Sequence, residues 1–200
     1  MTKTKIAVLV SGGGTNLQAL IDAQHSGIIE SGEIKLVISN NANAYALTRA
    51  ENAGIKGLVI TKKACGSQLA FEDAIIAALE ENGIDIIVLA GFMSILSEHF
   101  TSRYPKRILN VHPSLIPSFC GVGFYGLRVH EEALRYGVKV TGATVHYVNE
   151  IPDGGEIIAQ KAVDILPGDT AEVLQRRVME QAEWILLPQA AEIVAELLSR

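Results

Sequence analysis

Cysteine is scarce in this chain: Cys65 and Cys120 are the only two among 200 residues. Two are too few for a disulfide scaffold or a thiolate zinc site. A chain of this length can bury roughly 70% of its unfolded surface without such a staple. No apolar run approaches the ~18 residues of a membrane span. The first, Ile6 to Val10, is too short for a signal-peptide core and runs into glycines. Positive charge is also short, because 17 Lys and Arg against 22 Asp and Glu leave a formal net charge of −5. That balance provides no broad basic field for polynucleotide or an anionic membrane. The histidines show no metal-ligand spacing, so no metal is expected. Hydrophobic residues at 48% and charged residues at 20% sit near globular averages and exclude intrinsic disorder. The expectation is a cytoplasmic protein with one domain over residues 1–200, acting on small molecules.

Short β-branched runs alternate with longer segments of helical period. Ile6 to Val10, Ile34 to Ser39, Gly57 to Ile60 and Ile84 to Ala90 read as strands apolar on both faces, as strands covered by helices on each side must be. Between them, Leu17, Leu20 and Ile21 keep an i, i+3, i+4 spacing, and Phe71, Ala74, Ile75, Ala78 and Leu79 repeat it. Gly27, Gly54 and Gly83 fall just past these helices, where a left-handed stop favours glycine. Further on come a short strand, Ile108 to Val111, a loop from His112 to Gly126, and a helix from about Val129 to Tyr136. Strands Val138 to Val148 and Ile157 to Val163 flank Pro152, Gly154 and Gly155, which suggest a turn and an antiparallel pair. Asp169 and Thr170 cap a long helical stretch with Leu174, Val178, Ala182 and Ile185 on one face, and Pro188 is expected to break or kink it. The pattern predicts an α/β fold: a doubly wound, mostly parallel sheet with an antiparallel C-terminal strand pair.

Three stretches carry chemistry. Ser11-Gly-Gly-Gly-Thr-Asn16 lies between a strand and a helix, where backbone amides and a helix N-terminus suit a phosphate. A tight turn with an Asn or Thr cap would use the same residues. A dinucleotide fingerprint wants glycine where Leu17 stands, and a Walker loop wants a lysine that is absent, so a monophosphate fits better. Asn110 and His112 sit two apart at a strand end and project to one side, where an amide NH₂ and an imidazolium could both donate to an oxyanion. A histidine held by backbone is the alternative. Asp153-Gly154-Gly155 is first a turn signal, but a carboxylate there could favour the charged form of His112. His99 and His130 sit among polar residues on helices, and His146 points from a strand.

Together these residues resemble the glycinamide ribonucleotide formyltransferase family, 10-formyltetrahydrofolate-dependent enzymes of purine synthesis with a Rossmann-like fold. The resemblance runs over essentially the whole chain. It rests on Ser11 to Asn16, Leu89-Ala-Gly-Phe-Met93 with Ile95-Leu96, Asn110-Val-His-Pro-Ser-Leu-Ile-Pro117, and His146 followed by Asp153-Gly-Gly155. It implies that Gly14, Thr15 and Asn16 hold the ribonucleotide phosphate, with Glu183, five residues before Pro188, on its ribose. Asn110, His112 and Asp153 would be the catalytic trio. Met93, Ser94, Ile95, Leu96, Asn110 and the turn Asn149, Glu150, Ile151, Pro152 would line the folate site. Ser94 and Gln68 stand where the family commonly has arginines near the folate tail, and Cys120 to Phe124 reads as an insertion.

The implied reaction is direct attack of the glycinamide amine on the formyl carbon of 10-formyltetrahydrofolate. Asn110 and a protonated His112 would meet the oxyanion, and Asp153 would raise the His112 pKa. The implied partners are phosphoribosylglycinamide and folate, with no nucleic acid and no membrane, the chain being a monomer or homodimer. A methionyl-tRNA-type formyltransferase domain shares several of these features, and a non-catalytic folate or nucleotide sensor could share the fold.

Overall fold

The computed structural model describes residues 2–199. The β-branched runs form β1 (Thr4–Val10), β2 (Gly32–Ser39) and β3 (Lys56–Val59), joined by α1 (Thr15–Ser26) and α2 (Tyr45–Asn52). After α3 (Lys62–Cys65) and α4 (Gln68–Glu81), the chain returns to the other side of β1 as β4 (Ile86–Leu89). Then come α5 (Glu98–Thr101), β5 (Ile108–His112), α6 (Leu127–Tyr136), β6 (Val140–Tyr147) and β7 (Ile157–Asp164). The last described helices are α7 (Ala171–Val178) and α8 (Trp184–Ser199). One sheet runs in the order β3-β2-β1-β4-β5-β6-β7. It is parallel through β5; β6 is antiparallel to β7, as the turn signals predict, and antiparallel to β5 as well, which they do not predict.

Each inner strand divides its side chains between two cores, because successive residues face opposite ways. Ile6, Val8 and Val10 pack with Leu17 and Leu20 of α1 and with Ala190, Ala191 and Val194 of α8. Ala7 and Leu9 pack on the other face with Phe71, Ile75 and Leu79 of α4 and with Phe100. The order of travel reverses between β1 and β4, and open α/β sheets bind ligands beyond the carboxyl ends of the strands at such a point. The fold therefore brings the segments after Val10, Leu89 and His112 to one edge.

Two expectations for the C-terminal stretch need correction. Thr170 does cap α7, its hydroxyl accepting from the Val173 amide, but Pro188 does not break the helix. Residues Met179–Glu183 instead form a π-helical turn just before α8. A π-helical turn inserts one extra residue into the helical repeat. The insertion also rotates the inward face. Ala182 is followed inward by Leu186, at 6% exposure, while Ile185 is 37% exposed. His130 likewise departs from its expected polar setting: it shares the inward face of α6 with Ala133 and is fully buried.

Candidate active site

Beyond β1 the glycine-rich segment turns directly into α1, with Gly14 as N-cap at φ 73° and no side chain capping the helix. The Asn or Thr cap is therefore absent. Glycine is needed at 14 for its left-handed backbone, and because a Cβ there would lie 2.6 Å from the Ala46 Cβ. The first intrahelical bond runs from the Gln18 amide to the Gly14 carbonyl, so the amides of Thr15, Asn16 and Leu17 precede the ladder at the positive end of the dipole. Asn16 Nδ2 donates to Glu183 Oε2 at 2.9 Å. Glu183, at the end of the π-helical turn, is buried. Burial pushes its carboxyl above the ordinary range, against the pull of the Asn16 hydrogen bond. Asn16 Oδ1 is buried without a hydrogen-bond partner, as an acceptor kept for a ligand hydroxyl or amide would be.

Asn110 and His112 end β5, and the antiparallel register sets His146 of β6 directly opposite Asn110. Asn110 Nδ2 lies 3.2 Å from His146 Nε2, whose other nitrogen is 2.8 Å from the Tyr147 carbonyl. The carbonyl can only accept, so His146 carries its proton on Nδ1 and accepts from Asn110 through Nε2. Asp153 approaches from the turn after β6 with a left-handed backbone, φ 55°. Its carboxylate is 3.5 Å from His112 Nδ1 and 3.6 Å from His146 Nε2, and it accepts from the Gly121 amide at 2.8 Å. Gly155 allows this turn: a Cβ there would fall 1.7 Å from the Tyr147 carbonyl oxygen.

His112 Nε2 donates to the Phe119 carbonyl at 2.8 Å. With that nitrogen protonated, only the imidazolium can also donate from Nδ1 toward Asp153. Burial opposes the charge, however, and pushes the His112 pKa below its ordinary value; Asp153 and the Phe119 carbonyl pull it back only in part. The expectation of a raised His112 pKa is thus corrected: Asp153 acts in the expected direction, and desolvation outweighs it. For Asp153, burial is again the largest influence, but the nearby His146 ring, the His112 charge and the Gly121 amide together hold its carboxyl below the usual range.

A cavity of about 130 Å³ opens beside this group. Ser94, Ile95 and Leu96 form one wall, Asn149 to Asp153 another, and Asn110 and His146 the floor. Met93 and Gln68 do not line it. Met93 donates its amide to Ser11 Oγ at 2.8 Å, and Gln68 Nε2 donates to the Ile95 carbonyl at 3.1 Å. His112 stands behind the floor at 4% exposure. The Cys120 to Phe124 segment reaches the site through Gly121. His146 and Ser11 are the residues that the motif reasoning gave no role. Pairing Asn110 with the strand on its far side could have identified His146, since strand partners share a face.

The match to known proteins follows the same residues. The family model for formyl transferases matches residues 4–190, a stretch that includes both loops and every candidate residue. The chain belongs to the formyl transferase family. It is 47% identical over 184 residues to the phosphoribosylglycinamide formyltransferase of Haemophilus influenzae, covering 92% of this chain and 84% of that one. It is 47% identical over 193 residues to the human trifunctional purine biosynthetic protein adenosine-3, covering 96% of this chain but 18% of that protein's length. The crystal structure of glycinamide ribonucleotide transformylase 1 from Symbiobacterium toebii superposes with a TM-score of 0.90 at 43% identity, over 97% of this chain and 88% of that one. This formyl transferase also has a larger cavity of about 450 Å³, between α1, Arg49 and Trp184. It holds none of Asn110, His112 and Asp153, so chemistry rather than volume selects the smaller one.

Proposed function

We propose that this chain transfers the formyl group of 10-formyltetrahydrofolate to the amine of phosphoribosylglycinamide. The observation that carries the reading is the convergence of Asn110, His112 and Asp153 beside an apolar cavity, next to an anion-binding loop. The apolar wall of Leu89, Phe92, Ile95 and Leu96 suits a flat heterocycle. The folate supplies a formyl carbon on a nitrogen that leaves once protonated. The amides of Thr15, Asn16 and Leu17 hold the substrate phosphate, and Glu183 with Asn16 takes the ribose hydroxyls.

Asn110 Nδ2 turns from His146 toward the oxyanion that forms as the amine attacks. His112 places its positive charge behind Asn110, and its Nε2–H exchanges the Phe119 carbonyl for the oxyanion. Asp153 sustains the His112 charge against burial, accepts the proton the amine sheds, directly or through water, and returns it to the folate nitrogen as the intermediate collapses and the C–N bond breaks. The amine attacks the formyl carbon directly with no acyl-enzyme: Cys120 donates its thiol to the Pro117 carbonyl, and burial with the Asp153 charge raises its pKa away from the thiolate a nucleophile needs. Mixing the protein with both substrates and following deformylated folate tests the reading. Product that requires both substrates supports it. Binding of both without turnover would favour a sensor.

A further inference from the structure

The segment 92–97, which supplies one cavity wall through Phe92, Ser94, Ile95 and Leu96, has no helix or strand of its own, yet it must present Leu96 inward at 5% exposure and Ile95 outward at 71%. We infer that Glu72 is the positioning residue that holds this wall in shape for the folate, an inference that rests on the formyl-transfer reading. Glu72 lies on the inward face of α4 and is fully buried. Its neighbours on that face, Phe71, Ile75, Ile76 and Leu79, are apolar, so an apolar side chain would satisfy packing alone. A buried carboxylate is costly unless its oxygens are hydrogen-bonded. Here they are, and chiefly by the wall. Oε1 accepts from the Ser97 amide at 2.7 Å and from Gln68 Nε2 at 2.6 Å, and Oε2 accepts from the Ser97 hydroxyl at 2.5 Å.

The same Gln68 nitrogen donates onward to the Ile95 carbonyl. Glu72 therefore fixes the chain on both sides of Leu96, directly at Ser97 and through Gln68 at Ile95. Without it, the Ser97 amide and hydroxyl lose their acceptors, and the wall can leave the conformation that closes on the heterocycle. Asn110, His112 and Asp153 stand on β5 and the turn after β6 and make no hydrogen bond with Glu72. The wall's contribution should thus appear in folate binding and not in the transfer step.

Steady-state kinetics with 10-formyltetrahydrofolate and phosphoribosylglycinamide test this. Glu72→Leu should raise the folate KM about tenfold or more, the scale of losing hydrogen bonds to a charged group, with kcat at saturating folate and the ribonucleotide KM near parent values. Glu72→Gln, which keeps an oxygen for the Ser97 amide and offers an amide to the Ser97 hydroxyl, should restore most of the affinity. Ser97→Ala should raise the folate KM by itself and add little to Glu72→Leu, because the two act through one contact. Should Glu72→Leu fail to fold, Ser97→Ala carries the test: an unchanged folate KM overturns the inference. An active parent whose Glu72→Leu variant keeps the parent folate KM, or loses kcat and both KM values together, refutes this inference alone. A parent without transfer activity refutes the formyl-transfer reading itself.

Discussion

Asp153→Asn removes one charge at nearly constant shape, and the structure sets both the size and the direction of its effect. Asn keeps an oxygen for the Gly121 amide, so the turn should persist. What is lost is a charge pair with His112 at 3.5 Å. At an effective dielectric near 20 such a pair is worth about 5 kcal/mol before the competing solvation of both charges is subtracted. Asp153 raises the His112 pKa, so its removal lowers a value that burial already depresses. On the proposed mechanism the reaction needs charged His112 together with a neutral amine whose pKa is about 8. With His112 titrating below the amine, the profile of kcat/KM for the ribonucleotide is a plateau between the two pKa values. Its height falls tenfold for each unit separating them. Asp153→Asn should therefore lower the plateau at least about tenfold, the scale of losing a partner to a charged group, and move its acid-side inflection down, with the alkaline inflection unmoved. Calorimetric ribonucleotide affinity should hardly change. A variant with the parent's plateau and acid limb would show Asp153 to be a turn residue and refute the pairing.

The other predictions concern separate parts of the molecule. Asn16→Ala leaves the buried Glu183 without its donor. Calorimetry should show ribonucleotide affinity down about 10–100-fold, the cost of a hydrogen bond to a charged group, with folate affinity retained. Ile95→Asp places a carboxylate on the exposed rim of the cavity proposed for the folate, where folding tolerates it. Folate binding should fall sharply while ribonucleotide binding survives, and parallel loss of both would discredit the assignment. His130 has no partner for either ring nitrogen, and burial, aided by the His112 charge, lowers its pKa to about 4. The unfolded chain takes up that proton as pH falls through about 6.5 and the folded chain only near 4, so stability present above 6.5 is lost on acidification by up to about 3 kcal/mol. His130→Leu should flatten the fall in urea midpoint between neutral pH and pH 4.5, and an unchanged slope would exclude His130 as its source.

Much of the fold was legible because its signals are local. The β-branched runs, the glycines after helices and the Asp-Gly-Gly turn each encode one element, and the parallel sheet with its antiparallel end follows from their order. The π-helical turn at Met179–Glu183 was not legible, because a one-residue insertion within a helical stretch carries no residue signature of its own. Asn110, His112 and Asp153 could be proposed from motif and resemblance. The sign of the net His112 shift could not, because desolvation depends on everything packed around the ring. Glu72 was invisible for a related reason. In sequence it is one charged residue on an amphipathic helix; only the fold brings the Ser97 amide and hydroxyl of the loop to it, beside the Gln68 amide of its own helix.

The most direct test of the central claim is a crystal structure with phosphoribosylglycinamide and a folate that carries a non-transferable formyl analogue. The account predicts phosphate on the amides of Thr15 to Leu17, the heterocycle against Leu96, and the analogue's oxygen within hydrogen-bond distance of Asn110 Nδ2. Folate seated instead in the larger cavity beside Trp184, or an analogue oxygen remote from Asn110 and His112, would contradict it.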